Sequence, residues 1–158
     1  MNLGRANYLT HKIHLKDNNP VNCKQFKIPE VHQNFIEATL EEWLKLGVVK
    51  ISNSLYNSPL FYVPKKQGQG LRIDQDFRDI NNHSHIDKYS IKEISECIGN
   101  ISRANPTIFC TLDLTSGFWQ MQLDEDSQPL TAFTIHGKGQ YYWVTSSMGL
   151  LGCPASFQ

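Results

Sequence analysis

The chain has 158 residues, 40% of them hydrophobic and 19% charged, which is typical of a globular protein with one core and excludes a disordered segment. Fifteen basic residues balance fifteen acidic ones, so composition alone does not indicate binding to a polyanion. No run of about 18 apolar residues is present, which predicts that the chain does not span a membrane.

The N-terminus and the cysteines predict an intracellular protein that is not secreted. Residues 1–15 contain no apolar core of the kind that signal peptides have. The four cysteines show no C-x-x-C spacing, and we expect reduced, mostly buried thiols at Cys23, Cys97, Cys110 and Cys153.

The first predicted elements are a short strand at 11–15, where residues alternate, and a long helix. Pro29 suits the first turn of that helix, which runs to about Leu46, and Gly47 is a natural C-terminal stop. One apolar face recurs at helical spacing and predicts core packing: Val31, Phe35, Ala38 or Thr39, Trp43 and Leu46.

The next elements are predicted strands at 47–52 and 60–65, and the second of these forms a hairpin with 71–77 across a tip at 67–70. Ser90 and Glu93 have the spacing of a capping box, which predicts a helix from Ile91 to about Ile101.

The last part of the chain predicts a strand at 108–114, a short helical turn at 116–121, a hairpin of 131–135 with 140–145, and a helix starting near Pro154. Strands and helices therefore mix without regular strand–helix–strand alternation. This order is typical of the α+β class.

Asp113 follows an apolar run and precedes small residues and two aromatics, in the order TLDLTSGFWQ from 111 to 120. A carboxylate at a strand end beside an open backbone is a common ligand of a divalent metal that also contacts substrate phosphates. The alternative is an aspartate whose side chain only caps the following turn.

Several segments together resemble the reverse transcriptases of gypsy-type long-terminal-repeat retrotransposons and retrovirus-like pol polyproteins. Residues 111–120 resemble their first catalytic motif. Residues 58–66 (SPLFYVPKK) and 71–81 (LRIDQDFRDIN) are similar to two strands of the fingers subdomain, and 128–133 (QPLTAF) with 148–158 (MGLLGCPASFQ) to later palm segments. The resemblance covers roughly residues 20–158.

The resemblance implies the fold of a right-hand polymerase, with the fingers subdomain and the first half of the palm. It predicts an extended segment at 1–21, fingers at 22–85 and a partial palm at 86–158, with some contribution to the fingers near 120–150. The family's second catalytic motif, aromatic-x-Asp-Asp, is not among these residues. We therefore expect the N-terminal part of the enzyme, inactive by itself.

The implied activity is RNA-directed DNA synthesis, in which a metal-dependent nucleotidyl transfer uses deoxynucleoside triphosphates. Asp113 is the implied catalytic residue, and its carboxylate and the carbonyl oxygen of Leu114 are the implied metal ligands. The complete enzyme would hold two ions of Mg²⁺ or Mn²⁺. Asp124 and Asp126 are poor substitutes for the missing carboxylates because they lie in a polar turn.

The resemblance also implies a nucleotide-binding set. Lys65 and Arg72 flank the hairpin tip and would contact the triphosphate, with Lys66 a less certain addition. Ser116 and Gly117 would offer backbone N–H groups. The ring of Phe118 would stand against the sugar and exclude a 2′-hydroxyl.

Each of these roles has a plainer alternative, since Lys65 and Arg72 suit an exposed hairpin and Phe118 suits the core. Met148 and Gly149 would line the base and sugar, whereas Arg78 and Asn81 would lie near the template. Arg78 has an alternative as well, namely an ion pair with Asp76 or Asp79.

The implied partners are an RNA or DNA template with its primer, deoxynucleoside triphosphates, and the remaining palm, thumb and RNase H portions of a polyprotein. The implied location is the cytoplasm, a virus-like particle or the nucleus. The chain departs from the family pattern at Asp74, usually apolar, and at Ser147, usually proline. A decayed or domesticated retroelement remnant that only binds nucleic acid or a protein is therefore the alternative function.

Overall fold

The computed structural model describes residues 3–65, 70–85 and 92–157. The hairpin tip at 66–69, which includes Lys66, and residues Ser90 and Ile91 of the predicted capping box lie outside the described residues. The strands are β1 (Ala6–His11), β2 (Val49–Ile51), β3 (Leu60–Pro64), β4 (Leu71–Gln75), β5 (Met121–Leu123), β6 (Phe133–Ile135) and β7 (Gly139–Trp143). The α-helices are α1 (Gln33–Leu46), α2 (Arg78–Asn82), α3 (Ile94–Ala104) and α4 (Cys153–Phe157).

Helix α1 confirms the first predicted helix and its stop signal. A short 3-10 turn at Glu30–His32 precedes it, and Gly47 ends it with φ 69°, a left-handed conformation that glycine adopts at little cost. Its buried face differs from the predicted one, because its most buried side chains are Ile36, Leu40 and Trp43. Val31 is 79% exposed because it lies in the 3-10 turn before the helix, out of register with the buried face.

Three small sheets organise the strands. Strands β3 and β4 form the predicted antiparallel hairpin, β2, β7 and β6 form an antiparallel sheet in that order, and β1 pairs with β5 in parallel. The structure thus has mixed helices and strands, as predicted. Because β2 pairs with β7, the two halves of the chain share a sheet, and the subdomain boundary near residue 85 stays a prediction.

The core lies between α1 and the β2–β7–β6 sheet and extends to β3, α2 and β5. Trp43 packs on Trp143 with ring centroids 4.8 Å apart and on Phe133 at 6.0 Å. The fully buried side chains of Phe77, Ile80 and other apolar residues continue this core: Val48, Val49, Leu60, Met121, Leu123, Ile135, Leu150 and Cys153.

The predicted strand at 108–114 is wrong, because these residues form no regular element. A strand needs a neighbour to satisfy its backbone N–H and C=O groups, and none of the described strands pairs with this segment. Its apolar side chains are therefore exposed: Ile108 at 80%, Phe109 at 71% and Leu112 at 97%.

Helix α3 starts three residues later than predicted. Glu93 has extended backbone angles and occupies the N-cap position, without a capping hydrogen bond from its side chain. A capping box needs this glutamate at the third helical position, so the box is wrong. The helix buries none of its residues, and Ile94, Ile98 and Ile101 are exposed on one side.

The other corrections concern the first strand and the cysteines. The strand lies at Ala6–His11 and not at 11–15, because β5 pairs with the earlier residues. All four cysteines are free thiols. Cys97 on α3 and Cys110 in the irregular segment at 108–114 are exposed, because neither α3 nor this segment joins the core. Within the described part of the chain, no helix has the length and apolar character needed to cross a bilayer.

The contrast between a buried and an exposed leucine tests this fold. Leu40→Ala is expected to lower the free energy of unfolding by about 2–5 kcal/mol, because a cavity forms at a site that is 4% exposed. Leu112→Ala, at a site that is 97% exposed, should change it by less than about 0.5 kcal/mol. Urea unfolding measures both values. A large loss from Leu112→Ala would show that 108–114 is a packed strand in solution.

Candidate nucleotide-binding cleft

A cleft of about 760 Å³ opens between α1, the β3–β4 hairpin and the turn after Asp113. Every predicted metal- or nucleotide-binding residue in the described part of the chain lines it, except Gly149. These residues are Lys65, Arg72, Asp113, Leu114, Ser116, Gly117, Phe118 and Met148. The predicted template residues Arg78 and Asn81 are outside the lining.

Arg72 and Lys65 come from the hairpin that forms one wall. Arg72 pairs with Val63 across the hairpin, and alternation along β3 gives Lys65 the same face as Val63. Lys65 also closes the hairpin, because its N–H donates to the carbonyl of Gly70 at 2.9 Å.

The charges of the cleft are nearly balanced. The basic side chains of Lys65 and Arg72 oppose the acidic ones of Glu42, Asp74 and Asp113. The Arg72 guanidinium is 2.7 Å from the Asp74 carboxylate, so the closest anion to Arg72 belongs to its own strand. A phosphate entering the cleft would have to replace or share this contact.

Asp113 lies on the exposed segment at the rim of the cleft. The carbonyl oxygen of Leu114, its predicted co-ligand, accepts a hydrogen bond from the Gly117 N–H at 3.2 Å. Since a carbonyl oxygen has two lone pairs, this bond leaves one for a cation.

The turn at 114–120 is tight. Ser116 adopts a left-handed conformation with φ 50°, and a short 3-10 helix follows at Gly117–Gln120. The Gly117 N–H is already bonded within the turn, which leaves the Ser116 N–H as the better phosphate donor of the predicted pair. The ring that closely approaches Gly117 is Phe157, since a Cβ at 117 would lie 2.8 Å from its Cζ.

The position of Phe118 is compatible with both roles that the sequence suggests for it, a wall of the binding site and core packing. Its ring lines the cleft, and it also packs on Phe157, with ring centroids 5.3 Å apart, and against the edge of the core. The packing holds the ring in place, as a wall of a binding site would require. Its role in sugar selection stays a prediction.

Met148 directly precedes the turn at 149–151, and Asn81 is hydrogen-bonded to that turn. The Met148 side chain is 59% exposed and lines the cleft. The Asn81 amide donates to the Gly149 carbonyl at 2.8 Å and accepts the Leu151 N–H at 2.9 Å, and Gly149 has φ 96°. Asn81 thus orients this turn, and contact with a template stays a prediction.

Arg78 adopts the predicted alternative and pairs with Asp76. Its guanidinium donates to both carboxylate oxygens at 2.6–3.1 Å, and its backbone N–H donates to one of them at 3.1 Å. The side-chain hydrogen bond from Arg78 lowers the pKa of Asp76, and burial opposes that shift. The Arg78 side chain is 83% exposed, so it lies at the surface beside this carboxylate.

The donor set suits one metal ion that also contacts phosphate oxygens. Mg²⁺ is commonly held through one or two carboxylates with phosphates and waters. Among residues 3–65, 70–85 and 92–157, no three His, Cys, Asp or Glu side chains form a metal site. Asp124 and Asp126 lie near Lys12, at 3.4 and 3.9 Å, away from the cleft.

Several residues of the cleft lining were not among the predicted site residues, and three of them bear on its chemistry. Trp143 and Gln75 form part of its base, and Glu42 of α1 adds a carboxylate. The apolar or aromatic character of position 143 gave a core signal, but nothing in the motifs identified Gln75. Glu42 lies outside the predicted apolar face of α1, and helix periodicity does not show what faces the other side.

The chain is similar over nearly its whole length to known proteins. The retrovirus-related Pol polyprotein of transposon 297 from Drosophila melanogaster is 33% identical over 157 residues, which cover 97% of this chain. This chain is a homologue of a segment of retrovirus-related Pol polyproteins. It spans 14% of the length of the transposon 297 polyprotein. No family model matches the chain.

Solved structures support the same assignment of the Pol homologue. The crystal structure of prototype foamy virus protease-reverse transcriptase (a CSH mutant) superposes with a TM-score of 0.81 at 30% identity, covering 98% of this chain and 20% of that one. The foamy viral protease-reverse transcriptase in complex with an RNA/DNA hybrid gives 0.79 at 28% identity, with the same coverage. The resemblance to a retrovirus-like pol polyprotein is confirmed.

The Asp76–Arg78 pair gives a pH-dependent prediction. Arg78→Gln should raise the pKa of Asp76 toward its ordinary value, because the guanidinium hydrogen bonds and charge are removed, while the bond from the backbone N–H of residue 78 remains. The depressed pKa stabilises the fold above the unfolded-state pKa of Asp76, and that contribution disappears as the pH falls through the folded-state pKa. The wild-type protein should therefore exceed Arg78→Gln in stability at neutral pH, but not in strong acid.

Carboxyl-carbon NMR titration measures the pKa of Asp76, and urea unfolding between neutral pH and strong acid measures the difference in stability. Arg103→Gln is the matched control, because Arg103 bonds to Asn100 and the Gly99 carbonyl on α3 and not to a carboxylate. An unchanged Asp76 titration in Arg78→Gln would contradict the prediction.

Proposed function

We propose that the chain is part of an RNA-directed DNA polymerase and binds the incoming deoxynucleoside triphosphate. The observation that carries this proposal is the cleft, which Asp113 and the two cations Lys65 and Arg72 line together. A carboxylate and two cations are the side chains that a metal-complexed triphosphate requires. Homology to Pol polyproteins supports the same chemistry.

In this proposal residues 22–85 form the fingers and residues 86–158 the opening part of the palm. The segment 1–21 adds β1, and residues near 120–150 also contact the fingers. Support comes from the pairing of β2 with β7. Because the chain spans 20% of the foamy virus chain, polymerisation as such belongs to the proposal for a longer protein.

Asp113 and the Leu114 carbonyl would hold Mg²⁺ or Mn²⁺. In the complete enzyme two ions stabilise the attacking and leaving oxygens of the transfer. Asp113 would hold the metal-complexed phosphates at the rim, where the exposed backbone leaves room for them. Further carboxylates for a second ion would come from a longer polyprotein.

The remaining residues would bind the nucleotide and exclude competitors. Lys65 and Arg72 neutralise the phosphates, and the planar guanidinium binds two oxygens at once. The Ser116 N–H donates to a phosphate oxygen. Phe118 stands against the sugar, and Met148 lines the base, while Gly149 would act through the turn next to Met148.

Template and primer would lie on the side of Arg78 and Asn81. Support for nucleic-acid binding as such comes from the solved complex of the similar foamy viral protease-reverse transcriptase with an RNA/DNA hybrid. Arg78 would contact a phosphate with the guanidinium face that Asp76 leaves open, and Asn81 would act through the 149–151 turn. The other partners would be the remaining palm, thumb and RNase H portions of the polyprotein.

The second candidate function is a retroelement remnant that binds nucleic acid or a protein without catalysis. The observation favouring it is that, among the described residues, Asp113 belongs to no group of three His, Cys, Asp or Glu side chains that could hold a metal. Primer extension separates the two functions in a longer chain, whereas the 158-residue chain alone is expected to be inactive in either case.

Nucleotide binding tests the proposed function directly. Arg72→Ala should weaken binding of magnesium-complexed dATP about 10- to 100-fold, which is the effect expected of lost charge-assisted hydrogen bonds. Asp113→Asn should remove the magnesium dependence of binding. Isothermal titration with and without Mg²⁺ measures both effects.

Two exposed residues outside the cleft give matched controls for that titration. Arg103→Ala and Asp126→Asn change the same residue types, and both should leave dATP affinity unchanged. A wild-type chain without measurable affinity for the triphosphate would refute the nucleotide-binding role.

The ring of Phe118 gives a separate prediction on sugar selection. Phe118→Val should narrow the preference for dATP over ATP by about tenfold or more, because a wall that rejects the 2′-hydroxyl is removed. Phe109→Val is the control, since Phe109 is 71% exposed and outside the cleft. The ratio of the two dissociation constants is the measured quantity. An unchanged ratio would assign Phe118 to core packing alone.

A further inference from the structure

Gln75, the last residue of β4, has a buried amide that contacts three other segments. Its Nε2 donates to the carbonyl oxygens of Ser58 at 3.1 Å, Thr131 at 3.0 Å and Ala132 at 3.2 Å. Its Oε1 accepts the indole N–H of Trp143 at 2.6 Å. The side chain is 7% exposed, so these bonds form away from water.

The hydrogen bonds of Gln75 form part of a larger buried network. The hydroxyl of Thr131 accepts the backbone N–H of Trp143 at 3.0 Å and donates to the Gln128 carbonyl at 2.7 Å. The network therefore connects β4, β7 and the 3-10 turn at Gln128–Thr131. A buried polar network with its groups satisfied holds a single arrangement, because any displacement leaves a polar group unpaired.

Gln75 is the direct polar link between β4 and the β2–β7–β6 sheet. Within the described residues, the other hydrogen bonds of β4 run to β3 or within β4 itself, as the Arg72–Asp74 pair does. The network thus determines where β4 lies relative to Trp143, which also lines the cleft.

Arg72 lies three residues before Gln75 on the same strand. At about 3.3 Å per residue, the two Cα atoms are roughly 10 Å apart. A tilt of β4 at Gln75 would therefore displace the guanidinium relative to Asp113 across the cleft. Small misplacements of a binding group are costly, because the geometry of the contact is lost.

We propose that Gln75 is a positioning residue, whose buried amide anchors β4 to Trp143 and thereby holds Arg72 at the cleft. The anchoring is a property of the ligand-free chain. The consequence for substrate, a preference for triphosphates over monophosphates, rests on the proposed function. Gln75 itself contacts no substrate in this assignment.

The first experiment tests the anchoring without any ligand. Amide hydrogen exchange is followed at 60–63 and 71–75 in the wild type, Gln75→Leu and Trp143→Phe. Both substitutions should accelerate exchange in these two strands about tenfold or more, because each breaks the Gln75–Trp143 bond. Trp143→Phe keeps a ring in the core and serves if Gln75→Leu does not fold.

Gln140→Leu is the matched control for this experiment. Gln140 also donates its amide to two backbone carbonyls, those of Ser54 at 3.1 Å and Tyr56 at 2.9 Å. It lies on β7, and its side-chain hydrogen bonds run to Ser52, Ser54 and Tyr56 and not to β4. This control should destabilise the chain without selectively accelerating exchange in β3 and β4. Equal exchange profiles in Gln140→Leu and Gln75→Leu would overturn the anchoring.

The second experiment measures the ratio of the affinities for dATP and dAMP with Mg²⁺. Gln75→Leu should lower this ratio about tenfold, toward that of Arg72→Ala. The double variant should lose little more, because both changes remove the same contact. A ratio that stays at the wild-type value in Gln75→Leu would overturn the positioning role, whatever the loss of stability.

The outcomes of the two proposals remain distinguishable. If the wild type binds no triphosphate, the nucleotide-binding proposal fails, and hydrogen exchange alone then decides whether Gln75 anchors β4. If the wild type binds dATP but Gln75→Leu changes neither exchange nor the affinity ratio, the nucleotide-binding function stands and the positioning role is refuted.

Discussion

The packing of aromatic rings from separate parts of the chain positions α1, the β2–β7–β6 sheet and the turn that follows Asp113. Trp43 of α1 contacts Trp143 of β7 and Phe133 of β6, and Trp119 packs on Trp143 with ring centroids 5.9 Å apart. Aromatic pairs contribute about 0.5–1.5 kcal/mol beyond the area that they bury. Because Trp119 belongs to the turn that follows Asp113, the contacts that bury α1 also determine where one wall of the cleft lies. The packing of the core therefore helps to position the candidate site.

Local signals in the sequence were enough for elements whose ends are chemically marked. Gly47 ends α1 because few other residues tolerate its backbone angles, and the two hairpins follow from alternation around glycine-containing turns. The residues at 108–114 carried an equally clear apolar pattern, yet they form no strand. Pairing is a relation between two segments, and periodicity in one segment does not show whether a neighbour is present. The same limit explains why mostly buried cysteines were expected, although Cys97 and Cys110 are exposed.

Some residues of the candidate site could likewise be predicted from the sequence, and others could not. Asp113, Arg72 and Phe118 could be selected because motif order identified them, and all three line one cleft. Gln75 could not be selected, because a glutamine in a strand carries no signal until its four partners are known. The inward-facing amide depends on Trp143, which lies 68 residues away in sequence. Contacts at such separation are decided by the fold, and no local pattern encodes them.

The tight approach of Phe157 to Gly117 has a consequence for how this gene can vary. A Cβ at 117 would lie 2.8 Å from the Cζ of that ring, so even alanine would require the Phe157 ring to shift. The residue at 117 is therefore constrained by the space that the Phe157 ring leaves, and not only by its chemical role. A copy that had lost all catalytic use but still had to fold would remain under this packing constraint at position 117. Substitutions at Asp113, which is exposed, would be tolerated in the same copy. Selection would then act differently on positions 113 and 117.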